Sequence, residues 1–240
     1  MITRRTLESK YVPTPVNYAI ARPGGPDAAA ESAMVICLPG RGDVAATIVD
    51  SYRIQDIVAS TGGAFAVVAV DGGSSYWHRR ANGENRLAML LNELLPRLRR
   101  EHLGNFGAGV GLWGWSMGGY GALRTFVEAS GDFDAVATGG AALFTSYAGA
   151  APGAFDSEND FRQNDIFAHL DRLTGPISLA CGESDPFIAG NRALAKRLAT
   201  PPTTDFSTGC HENRFWRRAA VAQARFLAAH LPGPDGDAAG

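Results

Sequence analysis

Residues 109–122 read GVGLWGWSMGGYGA, and no other stretch of the chain is as informative. An apolar, β-rich run from Gly109 to Trp115 is followed at once by a helical pattern from Met117 to Ala129, and the GxSxG motif Gly114–Gly118 lies at the junction. A serine at such a strand–turn–helix junction has a strained backbone, and flanking glycines relieve the crowding. The pattern predicts that Ser116 is a nucleophile at the carboxyl end of a sheet strand, where open α/β sheets bind ligands.

Short apolar runs alternate with longer amphipathic runs along the rest of the chain. Near-continuous apolar runs are typical of strands buried on both faces, and this alternation predicts a mostly parallel, doubly wound sheet with helices on both faces. The predicted strands are Met34–Leu38, Ala64–Val70 and Gly109–Trp115, with weaker candidates at Ile177–Ala180 and Thr203–Ser207 and antiparallel edge strands near Thr6–Lys10 and Asn17–Ala21. The predicted helices are Ala45–Ala59, Arg86–His102 with a kink at Pro96, Met117–Ala129, Pro186–Ala199 and Asn213–Leu231.

The length and the spacing of these elements predict one domain over residues 1–231. The chain has 240 residues, 45% of them hydrophobic, which suits one core of substantial size. Residues 139–171 break the strand–helix rhythm and predict a short lid, because long irregular stretches inside compact domains are usually functional. The tail, residues 232–240, is rich in Gly, Pro and Asp and is predicted to be disordered.

Charge and cysteine content narrow the function classes. The net charge is −2 and no basic block is present, so nucleic acid is not an expected partner. No run of about 18 apolar residues predicts a membrane span. The three cysteines show no metal-binding spacing, so no metal is expected. Without an apolar secretory core near the N-terminus, the expected location is the cytoplasm.

A serine nucleophile needs a base, and the base needs an orienting carboxylate. In α/β-hydrolases, the class in which a strand–turn–helix serine of this kind occurs, the chain order is Ser, acid, His. His211 follows the last predicted strand in a loop before the final helix and is the predicted base. The loop after Ile177–Ala180 offers Asp185 as the predicted acid, with Glu183 as the alternative; an Asp before Pro186 is also an ordinary helix N-cap.

Further residues are expected to complete the site. The backbone N–H groups of Met117 and of Arg41, which lies in the turn after Met34–Leu38, are the predicted oxyanion donors. The tripeptide His78-Arg79-Arg80 is either a solvated loop or a binding site for an anionic group. Five aromatic residues are candidates to line a substrate pocket: Tyr76, Trp77, Trp115, Phe144 and Phe187. The alternative is that most of them belong to the hydrophobic core.

The chain resembles the esterase family that includes esterase D, feruloyl esterases and the antigen 85 mycolyltransferases. The resemblance covers roughly Met34 to Trp216 and is most specific at Gly114–Ala122, GWSMGGYGA. It extends to Asp71–Trp77 and Glu93–Pro96, and to the order of the three predicted catalytic residues. It implies an α/β-hydrolase fold and a carboxylic-ester hydrolase or acyltransferase without a cofactor. The short chain, the absence of an export signal and the aspartate acid argue against mycolyl transfer.

The sequence thus predicts hydrolysis of a small carboxylic ester through a Ser-His-Asp triad and an acyl-enzyme. One alternative is an acyltransferase or thioesterase that uses the same triad on an ester or thioester in a biosynthetic pathway. Another is a binding module on a hydrolase scaffold that has lost its chemistry. The sequence leaves the oligomeric state open.

Overall fold

The computed structural model describes residues 1–22, 33–62, 65–102 and 109–232. The predicted tail, apart from Pro232, lies outside these residues, as does Ala64 at the start of a predicted strand. The strands are β1 (Ile2–Leu7), β2 (Val16–Ala21), β3 (Ala33–Leu38), β4 (Phe65–Val70), β5 (Val110–Trp115), β6 (Ala135–Gly139), β7 (Ile177–Ala180) and β8 (Thr203–Asp205). The α-helices are α1 (Ile54–Ser60), α2 (Arg86–Met89), α3 (Leu95–His102), α4 (Met117–Glu128), α5 (Glu158–Asn164), α6 (Ile188–Arg197) and α7 (Asn213–His230).

The strands form one eight-stranded sheet in the order β1-β2-β4-β3-β5-β6-β7-β8. β1 and β2 are antiparallel to their neighbours, and the remaining pairs are parallel. The mostly parallel sheet with an antiparallel edge is therefore confirmed. β3 and β5 are neighbours at the centre, so the turns that follow them meet at one edge of the sheet.

Helices cover both faces of the sheet, as predicted. One core contains Leu112 of β5 with buried residues of α3 and α4, and the other contains Trp113 with buried residues of α1 and α7. The two sides arise because successive side chains of a strand point to opposite faces. The helix predicted over residues 86–102 comprises α2, a π-helical turn at Leu90–Leu94 and α3. The π turn ends two residues before Pro96, which lacks an N–H to donate to the preceding turn.

Three element predictions were wrong in position or missing. β1 spans Ile2–Leu7 rather than Thr6–Lys10, because exposed arginines interrupt its apolar pattern. The helix predicted over residues 45–59 is interrupted at Arg53, whose φ is 52°. β6 (AVATG) was not predicted at all, since its small side chains give little β signal. Gly139, assigned to the start of the lid, is the last residue of this strand.

Candidate active site

The turn between β5 and α4 gives Ser116 an unusual backbone conformation. Its φ and ψ are 55° and −119°, in a region that non-glycine residues seldom occupy. The serine N–H donates to the Gly139 carbonyl at 2.9 Å, and the serine carbonyl accepts the N–H groups of Tyr120 and Ala142. Backbone bonds to α4 and to the chain after β6 therefore hold the strained residue in place.

Gly118, the last residue of the GxSxG motif, is needed because α4 approaches the end of β3 closely. A Cβ on this residue would collide with the backbone of Leu38 and Pro39. On the other side of that contact, a Cβ on Gly40 would lie 3.7 Å from the Ser116 Cβ. The missing side chains thus bring the turn after β3 next to Ser116.

Ser116, His211 and Asp185 form one hydrogen-bonded chain. His211 Nε2 lies 2.9 Å from Ser116 Oγ, and His211 Nδ1 lies 2.7 Å from Asp185 Oδ2. An ionised carboxylate can only accept, so Nδ1 carries the proton and Nε2 is free to accept the serine hydroxyl. The arrangement can remove a proton from Ser116 and stabilise the resulting imidazolium.

Asp185 is fully buried and is held by two donors, the Phe187 N–H and His211 Nδ1. Its Oδ1 accepts the Phe187 N–H at 2.8 Å in a local turn, but α6 begins only at Ile188, so the residue is not the helix N-cap that its position before Pro186 indicated. The Cys181 thiol lies near this carboxyl group. Burial and the nearby Asp185 charge raise the pKa of Cys181, so the thiol stays protonated beside the carboxylate. Glu183, the alternative acid, is exposed and forms no part of this network.

The His211 ring lies between two aromatic side chains, with Phe187 and Trp216 edge-on at centroid distances of 5.1 and 4.9 Å. Gly140 lies beside the Asp185–His211 bond with a φ of 56°. A Cβ there would be 2.7 Å from Asp185 Oδ2 and 3.1 Å from His211 Nδ1. The space that this glycine leaves is therefore occupied by the acid–base pair.

The two predicted oxyanion donors lie on either side of Ser116. Met117 is the first residue of α4, and its N–H has no carbonyl partner within the helix. In the turn after β3, the N–H groups of Gly42 and Asp43 donate to the Gly73 and Gly40 carbonyls. The Arg41 N–H has no such acceptor among the described residues and is available to a ligand.

Three of the five predicted pocket residues form an aromatic wall on the His211 side of the site. Phe187 contacts His211, and Phe144 contacts Phe187 at 5.6 Å between ring centroids. Tyr76 contacts Phe144 at 6.1 Å, and Phe155, which the sequence reasoning missed, packs against both. We call Tyr76, Phe144, Phe155 and Phe187 the aromatic wall.

The other two predicted pocket residues lie in the core, which corrects their assignment to substrate binding. Trp115 is 1% exposed, because the alternation of β5 puts it beside Trp113 on the α7 face of the sheet. Trp77 is fully buried against Gly72 and Gly121, where a Cβ on Gly121 would overlap the indole ring. Neither side chain has surface that a ligand could contact.

Side-chain bonds attach the chain between β6 and β7 to the loop after β4. Arg80 forms an ion pair with Asp156 at 2.6 Å and also donates to the carbonyls of Gly153 and Ala154. His78 Nε2 lies 3.0 Å from the Ala154 carbonyl, and the ring stacks on Phe155. His78 and Arg80 therefore bind a neighbouring loop, which neither sequence interpretation of this tripeptide foresaw.

Among the described residues, no group of three or more His, Cys, Asp or Glu side chains could hold a metal ion. No helix in the same part of the chain has the length and apolarity that crossing a membrane requires.

The sheet order and the covering helices are those of an α/β-hydrolase fold, and solved structures with the same fold superpose on the chain. No protein-family model matches the chain, and no curated protein matches its sequence. A ferulic acid esterase superposes with a TM-score of 0.80 at 17% identity, covering 95% of this chain and 97% of the other. An S-formylglutathione hydrolase from Agrobacterium tumefaciens gives 0.78 at 13% identity, covering 96% and 95%. FphF, a fluorophosphonate-binding serine hydrolase of Staphylococcus aureus, gives 0.76 at 15% identity, covering 95% and 98%.

Proposed function

We propose that the chain is a serine hydrolase that cleaves small carboxylic esters through an acyl-enzyme. The observation that carries the proposal is the continuous Ser116–His211–Asp185 chain, with distances of 2.9 and 2.7 Å, at the carboxyl end of a central strand. The names of the similar structures, an esterase and two hydrolases, support the same chemistry.

Acylation begins when His211 Nε2 accepts the Ser116 hydroxyl proton and Oγ attacks the ester carbonyl carbon. The N–H groups of Met117 and Arg41 donate to the oxyanion of the tetrahedral intermediate. When the intermediate collapses, the alkoxy group leaves and takes the proton from His211. The products of this half-reaction are an alcohol and an ester of Ser116.

Deacylation repeats these steps with water. His211 takes one proton from the water molecule, whose oxygen attacks the acyl carbon, and then returns that proton to Ser116 Oγ as the acid is released. Asp185 stays ionised throughout and stabilises the imidazolium in both half-reactions.

A small cavity lies behind the aromatic wall, and neither Ser116 nor His211 lines it. The cavity there measures only about 10 Å³, which is about the space of one water molecule. It is lined by Tyr120, Leu143, Phe144, Phe155, Phe161, Asp165 and Ile166. The predicted lid of residues 139–171, without Gly139, which belongs to β6, acts in this proposal as a lid that the Arg80–Asp156 pair attaches to the rest of a single domain.

Covalent labelling with a fluorophosphonate tests the proposal directly. We expect wild-type protein to be labelled at Ser116 and to hydrolyse p-nitrophenyl acetate. Ser116→Ala should lose labelling and at least about 10⁴-fold in kcat. Ser60→Ala, at the exposed end of α1, is the matched control and should retain both. An unlabelled wild-type chain would instead indicate a binding module without chemistry.

The similarity to an S-formylglutathione hydrolase favours thioesters as a second substrate class for the same triad. Parallel assays on oxygen esters and thioesters of one acyl group compare the two classes. Adding alcohol or amine acceptors and analysing the products separates hydrolysis from acyl transfer, because only transfer yields a new ester or amide.

A further inference from the structure

The Arg41 side chain is a positive charge without an ion-pair partner among the described residues. Its guanidinium is exposed and donates through Nη1 to the Pro152 carbonyl at 3.0 Å. No carboxylate among the described residues forms an ion pair with it. A guanidinium has five N–H donors, so this single bond to a neutral carbonyl leaves most of them free.

This charge belongs to the turn after β3, which lies next to Ser116. Arg41 follows Gly40, whose Cβ position is 3.7 Å from the Ser116 Cβ. Burial raises the pKa of the Tyr76 hydroxyl, and the nearby Arg41 charge partly offsets that rise. The guanidinium is therefore close to the Tyr76 end of the aromatic wall, between the turn after β3 and the Pro152–Gly153 loop.

Two other arginines near the site, Arg80 and Arg86, are in ion pairs. Arg80 is neutralised by Asp156, and Arg86 is neutralised by Glu84 at 2.6 Å. Asp43, two residues after Arg41, accepts the Tyr52 hydroxyl at 3.5 Å and forms no ion pair with the guanidinium. Arg41 thus offers a planar, charged set of donors on the turn that also holds Gly40, whose Cβ position is 3.7 Å from the Ser116 Cβ.

We propose that the Arg41 side chain binds a carboxylate carried by the substrate, so that the preferred substrates are anionic esters. The inference rests on the proposed esterase function and names its substrate class. The planar fork of a guanidinium matches a carboxylate with two parallel hydrogen bonds, and charge-assisted bonds of this kind are stronger than neutral ones. The free carboxylate belongs either to the acyl group or to the leaving group.

Two pairs of esters test the proposal and distinguish these sources. On the acyl side, p-nitrophenyl hydrogen glutarate is compared with its neutral methyl glutarate counterpart. On the leaving-group side, 4-acetoxybenzoate is compared with 4-acetoxybenzamide. We expect wild-type kcat/KM to favour the anionic member of one pair by at least about tenfold. Added salt should reduce that ratio, because it screens an exposed charge.

Arg41→Gln keeps the backbone N–H but removes the charge, and it should bring the ratio close to one. Arg41→Lys should retain part of the ratio, because it keeps the charge and loses the planar fork. The charge-matched control is Arg100→Gln. Arg100 is an exposed residue of α3, and its substitution should leave the ratio unchanged.

Three results would overturn the inference. In the first, wild-type protein cleaves both members of each pair equally. In the second, Arg41→Gln slows cleavage of both members equally, which would mean that the side chain only stabilises the loop through its hydrogen bond to the Pro152 carbonyl. In the third, the wild-type preference remains in Arg41→Gln, which would mean that another group causes it. In each case, Ser116-dependent cleavage of the neutral esters would leave the proposed function standing. Loss of all cleavage by wild-type protein would remove both proposals.

Discussion

Two regions that meet at Ser116 are held in different ways. The turn between β5 and α4 is fixed by backbone hydrogen bonds and by glycines where two segments of backbone touch. The chain of residues 143–167, which carries much of the aromatic wall, is held mainly by side chains: the Arg80–Asp156 pair, His78, and the Tyr120 hydroxyl on the Asn164 carbonyl at 2.7 Å. We therefore expect chemistry to depend on the first region, and substrate preference and local order to depend on the second.

The largest change in kcat is expected from removing the charge of Asp185, the residue that orients His211. Asp185→Asn should lower kcat on p-nitrophenyl acetate by about 10³- to 10⁴-fold, because an amide cannot stabilise the imidazolium and can hold His211 in the wrong tautomer. Glu183→Gln removes the same charge two residues away on an exposed side chain and should change kcat less than about twofold. A large loss in the glutamine variant, with little in Asp185→Asn, would reverse the assignment.

A smaller effect is expected from Gly140→Ala. The added methyl would meet Asp185 Oδ2 at 2.7 Å, and alanine is strained at a φ of 56°. We expect kcat to fall by about 10²-fold, because a displacement of about 1 Å in a catalytic group has that cost. Thermal unfolding should show a loss of about 1–2 kcal/mol in the free energy of unfolding.

Gly131→Ala serves as the control for that variant, because nothing lies within 4 Å of its Cβ position. Normal turnover by Gly140→Ala would mean that the acid–base pair tolerates displacement, and the first region would then be less rigid than we infer.

The contrast also explains what the sequence could predict. The β5–α4 junction was found because its signal is local: an apolar strand, a glycine-flanked serine and a helix in consecutive residues. The spatial pairing of Asp185 and His211 agrees with an expectation taken from chain order. β6 was missed, since AVATG carries no strong strand pattern, although Gly139 accepts the Ser116 N–H.

Other features depend on contacts between distant residues, which no local pattern contains. Nothing in the sequence around Cys181 indicates that its thiol lies near the Asp185 carboxylate. Trp115 was placed in the pocket because it precedes Ser116, and only the sheet's two covered faces show that it points into the core. A GG pair such as Gly139-Gly140 is a signal that could have directed attention to the space beside His211.

Phe144→Ala tests the second region through substrate preference rather than rate. Removing this ring should enlarge the 10 Å³ cavity beside it and admit longer acyl chains. Across p-nitrophenyl esters from acetate to octanoate, we expect the ratio of kcat/KM for octanoate over acetate to rise by about tenfold. Phe226→Ala, a partly buried ring on α7 that contacts His230, is the control and should not change the ratio. An unchanged ratio in Phe144→Ala would exclude the wall as the limit on acyl length.

The smallest effect is expected from loss of the Arg80–Asp156 ion pair, which attaches residues 153–156 to the loop after β4. Hydrogen bonding to Arg80 lowers the pKa of Asp156, so this contribution to stability is fully present above the ordinary aspartate pKa of 3.8 and is lost as the pH falls through the lowered value. Asp156→Asn at pH 7 should therefore cost only about 0.5–1 kcal/mol in the free energy of unfolding, since the pair is partly exposed. Hydrogen exchange should rise in residues 143–167 while the amides of β5 and α4 remain protected. Equal loosening of both regions would show that one cooperative unit, rather than two, surrounds Ser116.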